Sequence, residues 1–503
     1  MQTLVDIEFV KSAMSPTGGY LLLFSIGAAM LVLALIVRTY MVRSTHDFVI
    51  ADRRVGLGFG VPVTIAAWTW AMAVMMSAGL TFRYGVSGLY WFTVANILCV
   101  IAVIPFASYL RRVMPHGYTI GQYIRLRFPG NHPVFIIMVA GMLFGCLLQI
   151  VINLKGTSVL ISTIFGIDWR VVPILVGLIV TCYGYFGGMW TSAITGTLQG
   201  YLILVPGAVV VLAMLDKVGG AGAVFATIQA TAPASFMKSS TMATAFAFGI
   251  SLGLGLTSNT ITDQTFWQKI WAIKPRYVTK VFLHGGAWFG PIPITFGLMG
   301  LIGIAVGLDL KEHIGGDVAA VGPFLIAHLG LPTWVIITYC VVIISACFST
   351  IDSAYVGTSS LVTVDIVKKL FPDITEKSLF ISAKLSIVAM GVLSIIIVLS
   401  GMDFVSIVMI TYAIKTSVMM PLVLAVFWDR CNGWGCFAGI ASAIAIGMPV
   451  YLTKGEFAGT MVIICLSMIV PIIWSTIKPQ VFDIRDLQKE KDLIAAAETS
   501  AGS

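Results

Sequence analysis

Residues Ser345–Asp365 read SACFSTIDSAYVGTSSLVTVD and lie inside an apolar run spanning residues 333–363. Ser345, Ser349, Asp352, Ser353, Ser359 and Ser360 recur at spacings of three, four or seven, which places many of them on one flank of a helix. A polar flank is costly against lipid, so this helix must face other protein, water or an ion. Ser349 and Thr350 stand about halfway along the run, and a hard cation such as Na⁺ takes oxygen ligands of this kind. The competing arrangement is a hydroxyl bonded back to the carbonyl four residues earlier on its own helix.

The rest of the chain supplies the setting. It is 58% hydrophobic and 10% charged over 503 residues, with a mean hydropathy of +0.98. Soluble domains carry roughly 25% charged residues, so the composition is that of an all-α polytopic membrane protein. Runs long enough to cross a bilayer, about 17–25 residues each, fall at 20–39, 57–81, 88–110, 133–164, 171–187, 190–214, 241–265, 277–308, 333–363, 379–401, 404–428, 434–453 and 457–477. They are numbered here as spans 0 to 12, thirteen in all.

The basic residues fix an orientation. Alternate loops, taken as cytoplasmic, hold 20 Lys and Arg, among them Arg53, Arg54, Arg111, Arg125, Arg127, Lys269 and Arg430; the opposite loops hold seven. The N-terminus is therefore expected outside and the C-terminus in the cytoplasm of a cell membrane. Residues 1–19 place Asp6 and Glu8 before the first apolar run and Arg38 and Arg43 after it, the reverse of a secretory signal. Residues 309–332, with Asp309, Glu312 and Asp317, read as a solvated outside loop, and 478–503 as a polar tail.

Span 1 (57–81) and span 6 (241–265) are both loosened by small and polar residues, such as Gly58, Gly60, Pro62 and Thr69, and Gly249, Gly253, Gly255 and Asn259. Spans 3 and 8 are both unusually long. These pairs correspond if residues 57–214 and 241–428 are two five-helix repeats, the second inverted, with span 0 (inside residues 1–56) and residues 429–477 peripheral. Paired interrupted helices at matching positions point to a transport site near the midplane.

At this point the chain resembles the sodium:solute symporter family over nearly its whole length. The resemblance rests on Ser349-Thr350 through Asp365-Ile366, on Ile65-Ala66-Ala67-Trp68-Thr69 in span 1, and on Asp263-Gln264-Thr265-Phe266-Trp267-Gln268-Lys269. It implies a LeuT-like inverted-repeat fold and a Na⁺ shell of span-1 carbonyls from Ala66 and Thr69, a span-8 carbonyl from Ala346, and the hydroxyls of Ser349 and Thr350. One departure stands out. Where the family has an Asp eight residues after Gly187-Gly188, this chain has Gly196. Asp352, one turn past Ser349, could restore the lost charge if it points inward.

Substrate contacts are expected from the broken parts of spans 1 and 6 with help from spans 3 and 10. The candidates are Trp68, Thr69, Trp70, Gln149, Asn153, Thr257, Ser258, Asn259 and Tyr412, whose neutral donors, acceptors and ring faces suit a small polar solute. Short fragments, including Ala67-Trp68-Thr69-Trp70-Ala71, resemble the urea-type active transporters within the family. Urea is the first reading of the solute; a monocarboxylate, amino acid or nucleobase is the second.

Intramembrane charges need an account, because a central Lys costs about 2.5–3.5 kcal/mol on the insertion scale. Lys155, late in span 3, can snorkel to the headgroups. Lys415, roughly 16 Å into span 10, is either one member of a structural ion pair, an anion contact, or a stand-in for a bound cation. Asp263 is a further charge without an assigned role. The six histidines are scattered without metal spacing, and no phosphate loop or Ser-His-Asp arrangement is present. An enzyme, a nucleotide-driven pump and a nucleic-acid partner are therefore set aside. A passive channel or a membrane sensor remains the alternative of a different class, and the tail is short for a signalling domain. The implied partners are Na⁺, a small-molecule solute and lipid; the oligomeric state is not legible.

Overall fold

The protein was analysed as a computed structural model that describes residue 9 and residues 14–482. Asp6, Glu8 and Lys11, and the expected tail from residue 483 onward, lie outside the described residues. The described chain is helical throughout, with an isolated bridge between Val55 and Ile273.

Among the described residues, ten helices are long and apolar enough to cross a membrane, and a bent pair in span 1 makes eleven. The expected thirteen differ from this count at two places. Val171–Lys217 forms one 47-residue helical stretch, about 70 Å at 1.5 Å per residue, against a hydrocarbon core of about 30 Å. It breaks at Gly188 (φ 60°, ψ −155°), a backbone conformation that glycine adopts without strain. A β-carbon there would also collide with the Phe48 carbonyl oxygen. The break falls where spans 4 and 5 were expected to meet. Span 6 is divided into Met242–Thr244, a π turn at Ala245–Gly249, Ile250–Thr262 and, after Asp263, Gln264–Ala272. The first three are continuous in helical backbone from Met242 to Thr262, and it is their Gly, Ser, Thr and Asn content that keeps this stretch out of the count of apolar spans.

Span 8 (Thr333–Ser360, continued by a π segment Leu361–Val367) is the central helix, and residues 342–361 are all buried. It packs against spans 3, 4 and 5. Its hydroxyl flank therefore faces protein, as the cost of polar groups against lipid requires. Span 0 (Pro16–Met41) is peripheral, with Leu21, Phe24, Val32, Ile36 and Tyr40 exposed.

The basic face is sealed by arginines that satisfy helix-end carbonyls. Span 10 (Phe404–Phe427) ends with Ala425 O accepting from Arg127 Nε (3.1 Å) and from the Tyr123 hydroxyl (2.9 Å). Arg127 Nη2 also donates to Trp428 O, Asp429 O and Cys431 O at 3.0–3.1 Å. Arg53 donates to His116 O (2.7 Å) and Gly117 O (2.9 Å). The last carbonyls of a helix have no partner within it, and a guanidinium supplies one along with a favourable charge.

The segment 309–332 corrects one expectation. Asp309 is exposed and caps Leu310–Ile314 through the backbone N–H groups of Lys311 and Glu312; these hold its carboxyl below the usual range. Residues Val321–His328, however, form an apolar helix that is almost wholly buried. Only the first half of the segment is a solvated loop, because VGPFLIA is too apolar to remain in water.

Candidate functional site

Span 1 is two helices, Leu57–Trp68 and Ala71–Tyr84, bent by 53°. Trp68, β-branched Thr69 and Trp70 are weak helix formers, and the unwound groups find partners on neighbouring spans. The Ala71 N–H, a free donor at the start of the second half, donates to Asn153 Oδ1 of span 3 at 2.9 Å. Asn153 Nδ2 in turn donates to Gln149 O at 2.8 Å. Its oxygen holds the break while its nitrogen bonds back to its own helix, so Asn153, expected as a solute contact, serves as a cap.

On the other side of the break, span 8 meets the freed carbonyls. The Ser349 hydroxyl donates to Ala66 O at 2.8 Å and lies 3.0 Å from Ala346 O, and Thr350 Oγ1 lies 3.3 Å from Thr69 O. Ala66, Thr69, Ala346 and Thr350 are fully buried and Ser349 is 2% exposed. The five residues expected to form one shell are therefore brought together. Three carbonyl and two hydroxyl oxygens make an uncharged, all-oxygen donor set, which suits a hard monovalent cation.

A second polar centre lies between spans 1, 3, 6 and 10. Lys415 Nζ is 3.0 Å from Asp263 Oδ2, with each side chain 1% exposed. It also donates to Asn259 Oδ1 and lies 5.8 Å from the Trp70 ring centroid. Gly145 makes room for it, since a β-carbon there would collide with Lys415 Cε. Asp263 sits at the span-6 break, where its Oδ1 accepts from Thr265 N at 2.9 Å and starts the helix Gln264–Ala272. Around this pair, the buried Trp70 Nε1, Gln149 Oε1 and Asn259 Nδ2 have no protein partner among the described residues. Gln149 is placed there by helix geometry: it is one turn from Gly145 and one turn from Asn153 on the same face of span 3.

A model of the family "Sodium:solute symporter family" matches residues 48–442, most of the chain and both broken helices. The chain belongs to the sodium:solute symporter family. Among its relatives, the urea-proton symporter DUR3 of Oryza sativa subsp. japonica is 23% identical over 483 residues, covering 86% of this chain and 66% of that protein. The probable urea active transporter 1 of Schizosaccharomyces pombe is 25% identical, covering 69% of this chain and 55% of that one. The chain thus spans somewhat less than two thirds of the length of these relatives. A Na⁺-coupled sialic acid symporter in a substrate-bound outward-open state has the same fold, with a TM-score of 0.77 at 18% identity over 92% of this chain and 99% of that one.

Against this family frame, the departure at Gly196 acquires a physical setting. Gly196 faces Val63 of span 1, and a β-carbon would lie 2.9 Å from Val63 Cγ2, closer than real contacts allow. Its neighbour Thr195 has Oγ1 3.5 Å from Asp352 Oδ2 of span 8. Asp352 is 1% exposed, and its Oδ1 has no hydrogen-bond partner among the described residues. A buried carboxyl group of span 8 thus stands against the span-5 residue that precedes Gly196.

The remaining candidates separate by what their polar atoms touch. Trp68 Nε1 donates to Asn96 Oδ1 at 3.1 Å, and its ring meets Phe266 edge-on at 5.3 Å, a core arrangement. Thr257 and Ser258 donate to Gly253 O (2.8 Å) and Leu254 O (2.6 Å) of their own helix, the back-bonded alternative. The Tyr412 ring packs on Gly255 of span 6. Lys155 Nζ lies 4.5 Å from the Trp169 ring centroid in the short loop after span 3, consistent with snorkelling toward the interface.

Several residues without an individual role in the sequence also fasten the spans around the site. Gln264 Nε2 donates to Ser360 Oγ (3.0 Å) and Tyr118 O (3.2 Å), while its Oε1 accepts from Ile120 N (3.3 Å), so it fastens an inter-span helix to spans 6 and 8. Lys269, assigned to a loop, is buried with Nζ 3.2 Å from Ser353 Oγ. Lys384, a third lysine within a span, lies over Tyr185 and Phe380, each ring 4.6 Å away. The motif around Gln264 and Lys269 was visible as a resemblance, but its contacts join residues about a hundred positions apart.

Proposed function

We propose that this chain is a secondary active transporter in which Na⁺ entry drives uptake of a small neutral polar solute, urea or a urea-like amide, by alternating access. The observation that carries the reading is the meeting of Ser349 Oγ and Thr350 Oγ1 with Ala66 O and Thr69 O at the break in span 1. When Na⁺ is present, these oxygens and Ala346 O supply its shell, with the hydroxyl protons turned away. Because the shell joins the break of span 1 to the rigid span 8, cation binding would favour the conformation in which the two helices touch. That is how a bound ion can bias access to the neighbouring solute site.

The neutral solute follows from the polar centre. Asp263 offsets the charge of Lys415, which weakens the case for an anionic substrate. The unpartnered groups are two donors, Trp70 Nε1 and Asn259 Nδ2, and one acceptor, Gln149 Oε1. A small amide carries a carbonyl oxygen for the donors and N–H groups for the acceptor. The names of the rice and fission-yeast relatives support the same choice. Thirteen spans, the two inverted repeats at 57–214 and 241–428, a cell-membrane location, an external N-terminus and a cytoplasmic C-terminus complete the proposal. The excess of basic residues on one set of loops supports the orientation.

The test is uptake of labelled urea into proteoliposomes under an imposed Na⁺ gradient, a proton gradient, or neither. Accumulation above the external concentration that requires Na⁺ is expected. A proton in the coupling role is the second reading, favoured by the rice relative's name; equal accumulation under a proton gradient without Na⁺ would establish it and end the Na⁺ proposal. Equilibration without accumulation would indicate a channel.

A further inference from the structure

We propose that the basic pocket beside the end of span 0 binds the headgroup of an anionic phospholipid. The pocket has a volume of about 340 Å³ and is lined by Tyr40, Met41, Arg43, Asp47, Arg54 and Trp190. It joins the C-terminal end of span 0 to the residues just after the Gly188 break, so it touches both a peripheral helix and the junction of spans 4 and 5.

Three features identify the ligand chemistry. The first is uncompensated positive charge. Asp47 is the acid in the lining, and its carboxylate is already engaged: Oδ2 accepts from Arg43 N (3.3 Å) and Ser44 Oγ (3.1 Å), and Oδ1 lies 3.8 Å from Arg54. Arg54 is held by Asp52 at 2.9 Å. The Arg43 guanidinium has no acidic partner among the described residues, and neighbouring Arg38 lies over the Phe186 ring at 5.3 Å without one. The second feature is the Trp190 indole, which lines the pocket and whose buried N–H has no partner among the described residues. Guanidinium and N–H donors together suit phosphate oxygens.

The third feature selects a lipid over a free anion. The pocket opens at the end of a helix whose Ile36 and Tyr40 are 50% and 74% exposed. Such side chains face acyl chains and the headgroup boundary, with aromatic residues at the interface. A phospholipid can therefore seat its phosphate in the pocket and lay its chains along span 0. Basic pockets between spans on the cytoplasmic side have the right charge for anionic headgroups. The assignment to the inner leaflet rests on the orientation proposed above; the headgroup chemistry does not.

The full chain, purified in neutral detergent, is examined by native mass spectrometry and thermal unfolding with phosphatidylglycerol, phosphatidylcholine or inorganic phosphate. Phosphatidylglycerol is expected to give a retained one-lipid adduct and a higher unfolding temperature. Phosphatidylcholine and phosphate should do neither. Arg43→Gln, an exposed and structurally tolerant position, should weaken the adduct about fivefold, the equivalent of about 1 kcal/mol per basic residue near an anionic surface. Trp190→Phe, which keeps the ring and removes the donor, should weaken it as well. Equal stabilisation by phosphatidylcholine, equal effect of phosphate, or a phosphatidylglycerol adduct unchanged in both variants would overturn the proposal. None of these readouts depends on Na⁺ or urea, so they stand or fall apart from the transport reading.

Discussion

Lys415 and Asp263 offer a sharp test, because their pairing decides whether span 10 presents a charge to the solute. At 3.0 Å and an effective dielectric of about 20, the attraction is about 5–6 kcal/mol, set against the desolvation of both groups. Removing one partner strands the other, which in buried pairs costs about 3–5 kcal/mol. Lys415→Met keeps the stem that fits beside Gly145. Asp263→Asn keeps an oxygen able to accept from Thr265 N. The double variant removes both charges and leaves chiefly the lost partner of Asn259 Oδ1, roughly 1–3 kcal/mol. Each single variant should therefore be less stable than the double, an order that additive effects cannot produce. Unfolding followed by tryptophan fluorescence in a fixed detergent gives the order, and uptake kinetics give the solute KM. If Lys415→Met kept wild-type stability while raising the KM for an anionic solute, the pairing argument would be refuted. A double variant that lost the sum of both single effects would refute it equally.

Three further outcomes follow from the same geometry. Ser349→Ala and Thr350→Ala each remove one of five shell oxygens and should raise the Na⁺ concentration for half-maximal uptake several-fold while changing solute affinity at saturating Na⁺ much less; an unchanged Na⁺ dependence would place the ion elsewhere. Asp352→Asn should also raise the Na⁺ requirement if this carboxylate replaces the one absent at Gly196, and a Na⁺ titration that overlays the wild type would show that it does not. Asn153→Ala deletes the partner of the Ala71 N–H and should destabilise the protein by about 1–3 kcal/mol, the cost of a stranded buried donor; full thermal stability would mean that the span-1 break holds itself.

What the sequence disclosed was decided by how local the physics is. Bilayer-spanning runs are local, so span limits such as 379–401 and 404–428 lie within a few residues of Glu376–Leu399 and Phe404–Phe427. The polar flank of span 8 was legible too, because a single helix cannot hide it from lipid. Pairings across the fold were not. Nothing in the run AWTWA tells that Asn153 holds the following N–H, since Asn on a helix serves a cap and a ligand equally well. Thr257 and Ser258 looked like ligand donors because their type permits it; only the placed backbone shows carbonyls four residues back within 2.8 and 2.6 Å.

If Asp352 takes over the role of the carboxylate absent at Gly196, a pair of substitutions preserves one physical quantity. A carboxylate on span 5 would have to grow from a position already in contact with Val63, so side chain and helix packing compete there. The Asp352 carboxyl group of span 8 instead stands against Thr195, while spans 1 and 5 stay in contact. Thr195 and Asp352 are 157 positions apart in the chain, yet the fold brings their side chains to 3.5 Å. On that proposal what is maintained is a carboxylate next to span 5, not the identity of any one residue. The proposed role requires this carboxylate, one helical turn past Ser349, to act on the neighbouring oxygen shell, and the Na⁺ titration of Asp352→Asn decides whether it does.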